Sequence, residues 1–336
     1  MKVLVTGGAG YIGSTTSTAL IEAGHTPVIL DSLVNGRREF TKGRIFYQGD
    51  IADTDLIKQI FSDHPDIAAC IHFAALIVVP ESVREPYKYY HENVVKSLEL
   101  FKTLDELGCR RLIFSSSASI YGNSSTDSFM VTESAPKDPS SPYARTKVMM
   151  EMVMEDMCRA TALKGIALRY FNPIGADPMM RTGPYDPNPS HVLGKMVNVA
   201  LGKDPVFTVT GVNWPTRDGS GIRDYIHIWD LARAHVKAVE QFDSAMEAEG
   251  ADFLPINLGT GNGVTVKELV AAFEKVFGRK LNVAEADPRP GDVAGAYANA
   301  DRAQRLLGWH AEKSIEEGIA DALRWTDVER KKVLGY

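Results

Sequence analysis

An α/β chain built on a doubly wound parallel sheet is predicted by three observations. Short apolar runs alternate with longer helical patterns through the first half of the 336 residues, a glycine-rich turn follows the first run directly, and the pattern breaks into a proline- and glycine-rich stretch after Asn172. Such alternation calls for parallel strands with helices on both faces, and the break marks the start of a second, smaller C-terminal α/β lobe. At this length more than one core unit is expected.

The candidate strands are the runs at 3–6, 28–31, 45–47, 69–73, 111–115 and 166–171. Helices are expected to begin near Tyr11, after Asp53 as an N-cap, near Pro86 and near Pro142, where proline suits a first turn. Residues 1–172 read as the first domain. After it, Pro173, Gly175, Pro178, Gly183, Pro184, Pro187 and Pro189 interrupt any regular pattern before a helical run at 191–201. Residues 173–336 form mainly the second lobe, but a helix at 228–242 and a short buried strand at 255–258 are expected to return to the first layer. The lobes interleave in sequence near 228–260.

With 37 basic against 43 acidic residues the net charge is −6, and no dense Lys/Arg run occurs. A nucleic-acid or anionic-membrane surface is therefore not expected, and any phosphate binding must be local. The first apolar run leads straight into the glycines, leaving no room for a signal peptide's apolar core, and no uninterrupted apolar run approaches membrane-spanning length. Cys70, Cys109 and Cys158 are scattered, without a CxxC pair, so neither a disulfide framework nor a metal cluster is suggested; reduced thiols in a cytoplasmic protein are expected. Around Val94, Val95, Leu98, Leu100, Phe101 and Leu104, and again around Met149, Met150, Met152, Val153, Met154 and Met157, apolar residues cover more than one helical stripe. A homodimer paired through these helices is the expectation.

Gly7-Gly8-Ala9-Gly10-Tyr11-Ile12-Gly13 satisfies both GxxGxxG and GxGxxG spacings between a strand and a helix, the context that makes the motif credible. The turn needs residues without Cβ, so that a diphosphate can approach the backbone and meet the helix amino end. Asp31 follows at the end of the second strand, placed to accept from both adenosine ribose hydroxyls and repel a 2′-phosphate, which favours NAD over NADP and a Rossmann-type sheet. Asp50-Ile51 follows the third run and is read either as a contact to the adenine edge or as a helix cap. Phe73-Ala74-Ala75 ends another strand with small residues where a backbone can pass the cofactor, and Asn93 is expected to hold a buried polar role inside its helix.

Tyr143 and Lys147 fall one turn apart on one helical face. The spacing is common; its place after the strand ending Ser115-Ser116-Ser117, on the side where the glycine turn sits, is what singles it out. Ionising a phenol three units below its reference value near 10 requires about 4 kcal/mol. One ammonium about 4 Å away supplies about 4 kcal/mol at an effective dielectric near 20. Ser117 would hydrogen-bond the reacting oxygen, so that one alcohol can lose hydride and proton together.

With Ser115-Ser116-Ser117-Ala118-Ser119-Ile120-Tyr121-Gly122, Ser141-Pro142-Tyr143-Ala144-Arg145-Thr146-Lys147, Arg169-Tyr170-Phe171-Asn172-Pro173, the run from Pro215 to His227 and Arg289-Pro290-Gly291-Asp292, the chain resembles the extended short-chain dehydrogenase/reductases, and within them the branch that epimerises UDP-hexoses at C4. The resemblance spans nearly the whole chain. It implies that hydride leaves C4 of the hexose for NAD while Tyr143 takes the hydroxyl proton, and that the 4-keto sugar turns about its diphosphate link before hydride returns. It further implies Ser117, Tyr143 and Lys147 as catalytic residues. Gly7, Gly10, Tyr11, Ile12, Gly13, Asp31, Ser32, Asn35, Gly36, Asp50, Ile51, Phe73, Ala74, Ala75, Asn93, Ser115 and Tyr170 join Tyr143 and Lys147 about the cofactor. Ser119, Asn172, His191, Val192, Arg223, Arg289, Asp292 and Ala296 join Ser117 and Tyr143 about the UDP-sugar. Arg223 and Arg289 suit a diphosphate by charge and fork geometry.

Three positions depart from the best-known bacterial pattern. Ala75-Leu76-Ile77 lacks a lysine that would reach the nicotinamide ribose. His191 stands where that pattern has asparagine, as a replacement donor or a structural residue. Ala296 stands where a tyrosine is associated with exclusion of N-acetylated sugars, so UDP-GlcNAc and UDP-GalNAc are expected to interconvert as well; Tyr297 would fill the space if the register shifted by one. A dehydratase would need an Asp-Glu pair where Ala118-Ser119 stand. A UDP-glucuronate 4-epimerase or a related UDP-sugar-modifying enzyme, and from another class a non-catalytic NAD-sensing protein, are the competing readings.

Overall fold

In the computed structural model, which describes residues 1–122, 129–288 and 292–335, seven parallel strands form one sheet. Five come from the first part of the chain: β1 (Lys2–Thr6), β2 (Thr26–Asp31), β3 (Ile45–Gln48), β4 (Ile67–His72) and β5 (Arg111–Ser117). Strand Lys164–Tyr170 lies beside β5, and Phe253–Leu258 lies beside that at the edge. The order runs Phe253–Leu258, Lys164–Tyr170, β5, β4, β1, β2, β3. Chain direction across the sheet reverses between β1 and β4, and the crevice beyond their carboxyl ends is where such a sheet takes a ligand.

The strands are apolar on both faces because both are covered. On one side α1 (Tyr11–Glu22) and helix Ile228–Glu240 pack with Val3, Val5, Ile71, Ile113 and Ile166. On the other, α2 (Thr54–Asp63) and later helices meet Leu4, Val28, Cys70, Leu112 and Phe114. Asp53 caps α2, its carboxylate accepting from Leu56 N–H at 3.0 Å.

Boundaries differ from the sequence reading where tertiary contacts decide. β5 runs to Ser117, so all three serines lie in the strand, whereas β4 stops at His72. The helix expected at 228–242 ends at Glu240, and Phe242 starts a second helix, Phe242–Glu249, with its ring buried in the core. The helix expected from Pro86 is preceded by α3 (Val79–Arg84); α4 (Pro86–Tyr90) then leads through a π-turn at His91–Val95 into α5 (Lys96–Glu106). That wide turn carries Asn93 inward. α6 (Pro142–Ala160) is capped by Ser141, which accepts from Ala144 N–H at 3.2 Å, with Pro142 in its first turn. No helix of the described residues is long and apolar enough to cross a membrane.

Beyond the sheet, His191 caps helix Val192–Ala200, and a small sheet joins Val264–Thr265, Ile222–Arg223, Gly295–Ala298 and Met130–Val131. A separate pair sets Tyr225–His227 parallel to Asn172–Ile174.

Candidate active site

The glycine turn closes against the end of β4. Gly7 has φ +70°, and a Cβ there would lie 2.7 Å from Ala74 N, so only glycine permits the approach that the small residues after Phe73 also serve. A Cβ on Gly13 would collide with the Gly7 carbonyl oxygen, whereas the nearest obstacle at Gly10 is that same oxygen at 3.2 Å. α1 has no side-chain cap and no acidic residue in its first turn, leaving the Tyr11 and Ile12 end of the helix suited to an anion. Asp31 is buried and accepts from Ala9 N–H at 3.0 Å and Leu33 N–H at 2.8 Å, with lone pairs left on both oxygens for a ribose diol. Gly36 lies against this carboxylate, and Ser32 and Asn35 are exposed in the same loop. Cradle, helix end and carboxylate together fit NAD.

The reacting groups stand at the carboxyl end of β5. The Tyr143 hydroxyl is hydrogen-bonded with Ser117, whose oxygen also accepts from Ser119 N–H at 3.2 Å. Lys147 is buried; its ammonium donates to the Ser115 carbonyl at 2.7 Å and lies 5.9 Å from the Tyr143 ring centroid. Ser115 Oγ pairs with the Tyr170 hydroxyl. Burial raises the Tyr143 phenol, and the bond with Ser117 opposes the rise. Burial brings Lys147 down to about 7 against the pull of Glu151.

Glu151, one turn beyond Lys147, was not singled out by the sequence, although its i+4 spacing was visible. It is fully buried and accepts from Ser116 Oγ at 2.6 Å and from Arg169 Nε at 2.8 Å and Nη2 at 2.7 Å, with Lys137 at 2.8 Å. One carboxylate therefore ties α6, β5 and strand Lys164–Tyr170 together. Ser119 Oγ, already among the expected substrate contacts, and the Tyr225 hydroxyl are buried oxygens without a hydrogen-bond partner. Tyr225 follows Arg223 by two residues, a proximity the sequence displayed without giving it a role.

Other expected site residues also have partners within the protein. Asn93 is buried, but its carboxamide accepts from Leu76 N–H at 2.8 Å and donates to Leu76 O at 2.9 Å and Thr146 Oγ1 at 3.2 Å, so it shapes the loop after β4. Asp50 pairs with Lys96 at 2.6 Å and accepts from Ala52 N–H, and Ile51 is in the core. His191 Nδ1 accepts from Gly194 N–H at 3.1 Å, capping the helix as a structural residue, which leaves Nε2 to carry the proton of the neutral ring. Arg223 donates to Ile222 O, Ala294 O and Val293 O, bracing the segment that carries the half-buried Asp292. Arg289 lies outside the described residues.

Asn172 is half-buried beside Tyr225. Ala296 packs with Ile120, Tyr121 and Phe171, against which Ala118 also lies. Tyr297 has the opposite orientation along the strand, with its ring 2.5 Å from where a Gly263 Cβ would sit, so it does not fill the space beside Ala296. Ile77 is 64 % exposed. Among the described residues no group of three His, Cys, Asp or Glu side chains is placed to hold a metal.

The sequence profile of the NAD dependent epimerase/dehydratase family matches residues 3–258. UDP-glucose 4-epimerase of Bacillus subtilis (strain 168) is 42% identical over 347 residues, covering 100% of this chain and 99% of that relative. UDP-glucose-4-epimerase of Stenotrophomonas maltophila, solved with bound NAD and formylated UDP-arabinopyranose, superposes with a TM-score of 0.92 at 36% identity, each chain covered in full. The Bifidobacterium longum enzyme in complex with NAD+ and UDP gives 0.90 at 34% identity, again with both chains covered in full. With its glycine cradle, Tyr143, Lys147 and full-length relatives in agreement, the chain belongs to the NAD dependent epimerase/dehydratase family, among UDP-glucose 4-epimerases.

Proposed function

We propose that this chain inverts C4 of UDP-hexoses through a transient 4-keto sugar, with Ser117, Tyr143 and Lys147 as its catalytic residues. One observation carries the reading: Tyr143 bonded with Ser117, and Lys147 on the Ser115 carbonyl, at the carboxyl end of β5, the same edge of the parallel sheet as the glycine turn after β1. NAD, when bound, supplies the acceptor that takes hydride from C4 and returns it to the opposite face. Tyr143 takes the O4 proton as hydride leaves and gives it back on return; Ser117 aligns that oxygen; Lys147 stabilises the phenolate. Gly7, Gly10, Tyr11, Ile12, Gly13 and Asp31 hold the dinucleotide, and Asn93 acts on it through the Leu76 loop.

For the substrate, Ser119, Tyr225, Asn172, His191, Val192, Arg223, Arg289 and Asp292 form the UDP-sugar site. Ala118, Phe171 and Ala296 give the sugar an uncharged wall, which favours a neutral hexose over a uronate. Ala296 leaves room for a 2-acetamido group, so N-acetylated sugars are included. We read residues 173–336 as the substrate lobe and residues 1–172 with the segments near 228–260 as the cofactor domain. Val95, Leu98, Met149 and Met152, each more than two-fifths exposed on α5, α6 and the turn before α5, support a homodimer through a helix bundle. The buried, unpaired Cys70, Cys109 and Cys158 suit the cytoplasm.

The test offers NAD-loaded protein UDP-galactose, UDP-N-acetylgalactosamine and UDP-galacturonate separately, following reduced nicotinamide by absorbance and products by chromatography. The first two are expected to equilibrate with their C4 epimers. Binding of all three without product or transient reduction would instead identify a sensor.

A further inference from the structure

The segment between Ile174 and His191 is fastened along the nucleotide-binding helix by contacts that catalysis does not use. The Tyr11 hydroxyl donates to Gly175 O at 2.6 Å, Thr15 Oγ1 meets Thr182 Oγ1 at 2.8 Å, and Arg181 pairs with Glu22 at 2.6 Å. Trp325 Nε1 donates to Pro184 O at 2.7 Å, and Phe40 packs its ring 5.8 Å from Tyr185. These fastenings bring the Tyr185 hydroxyl to 3.8 Å from where a Cβ on Gly10 would stand.

From the other side of the turn comes Arg37. Its backbone N–H donates to Ala9 O at 2.9 Å, inside the glycine turn, and its guanidinium lies over the Tyr185 ring, 5.1 Å from the centroid. Its Nε is buried and has no hydrogen-bond partner. A buried guanidinium nitrogen without an acceptor is costly. Burial pushes the Tyr185 phenol up to about 12, with Asp31 adding to the push and Arg37 opposing it. The tyrosine, the arginine and the ribose-facing carboxylate thus share one small space at the amino end of α1.

We propose that Arg37 and Tyr185 form a clasp across the adenosine half of bound NAD, with the Arg37 guanidinium as the cation for its diphosphate and the Tyr185 ring as the plate that keeps the guanidinium there. The proposal rests on NAD binding at the glycine turn and on the reaction being redox-neutral over a full cycle. An epimerase returns its hydride to the sugar, so its dinucleotide need not leave between turnovers and a contact that slows release costs no rate. Stacking on one face leaves the guanidinium edge available to phosphate oxygens.

The experiment uses NAD-loaded protein and reads NAD release after dilution, as dinucleotide retained on the protein with time. Arg37→Met and Tyr185→Ala are each expected to speed release about tenfold, the scale of one partly desolvated cation–aromatic or charge contact. Tyr185→Phe, which keeps the plate, is expected to stay near the parent, and the double variant to release little faster than either single one. Competition with ADP-ribose should weaken in step, while nicotinamide mononucleotide is unaffected. Release at the parent rate in both single variants overturns the proposal. So does an equal fall in melting temperature with and without NAD, which would make the pair a structural brace. Where Arg37→Met does not fold, Arg37→Lys carries the test: it keeps the charge but loses the flat stack, and release as slow as the parent's overturns the clasp. None of these readouts needs UDP-sugar turnover, so failure of the epimerase reading leaves them intact.

Discussion

Lys147→Met removes the charge beside the base while keeping an unbranched apolar stem in the same channel. The ammonium lies 5.9 Å from the Tyr143 ring centroid. At that separation and an effective dielectric near 20, unit charges interact by about 3 kcal/mol, or about two pKa units on the phenol. Burial brings Lys147 down to about 7, so the ammonium is fully present only below that pH and is lost as pH rises through it. The wild-type advantage is therefore greatest at and below neutrality and narrows above it. Stopped-flow absorbance of NAD-loaded protein mixed with UDP-galactose should show hydride transfer slowed about 100-fold near neutral pH. The variant should recover toward the wild type as the solution becomes alkaline. The same shift has a stability signature. The cost of burying the ammonium is fully present below the folded value and relieved as pH climbs toward the unfolded value of 10.5. In acid, Lys147→Met should therefore gain up to about 5 kcal/mol on the wild type, read by denaturant unfolding across pH. An equal catalytic loss at every pH would mean that Lys147 only braces β5 through the Ser115 carbonyl, and would refute the electrostatic role.

Other perturbations test neighbouring parts of the reading. Ala296→Tyr should lower kcat/KM for UDP-N-acetylgalactosamine by about 100-fold while sparing UDP-galactose, about 3 kcal/mol of steric exclusion; equal effects on both sugars would remove Ala296 from the pocket. Glu151→Leu strands Arg169 in the core and should cost about 3 to 5 kcal/mol in denaturant unfolding; a cost below about 1 kcal/mol would show that the network is not what joins α6 to β5. Leu98→Asp with Met152→Asp should turn a dimer into a monomer in sedimentation equilibrium, with each chain still folded by circular dichroism. Asn93→Ala leaves the Leu76 N–H and carbonyl without partners and should destabilise the fold by about 1 to 3 kcal/mol. Its effect on NAD retention reads how far the loop after β4 contributes to the cradle.

The sheet was legible because its signals are local: each strand is an apolar run bounded by polar or small residues, and the glycine turn, Asp31 and the Ser-Tyr-Lys set sit at strand ends that run order alone brings to one side. What sequence spacing could not reveal is which polar groups are already engaged. Asp50, Asn93 and Arg223 each have the chemistry of a ligand contact, and each also holds the fold, through Lys96, the Leu76 backbone and the carbonyls of residues 222, 293 and 294. The reverse also holds. Glu151 and Arg169 read as ordinary helix and strand residues, but a buried carboxylate can persist only if its charge is matched and its lone pairs are occupied. Ser116, Arg169 and Lys137 meet that demand from three different segments. Fixing those segments also fixes the two strand ends and the helix on which Ser117, Tyr170 and Tyr143 stand, so the geometry of the hydroxyls depends on a charge pairing one layer below them. Burial has the opposite effect on Lys147, whose ammonium it disfavours while Glu151 pulls the other way. One carboxylate thus contributes twice, holding the frame through hydrogen bonds and opposing, through its field, the loss of the Lys147 proton that burial favours.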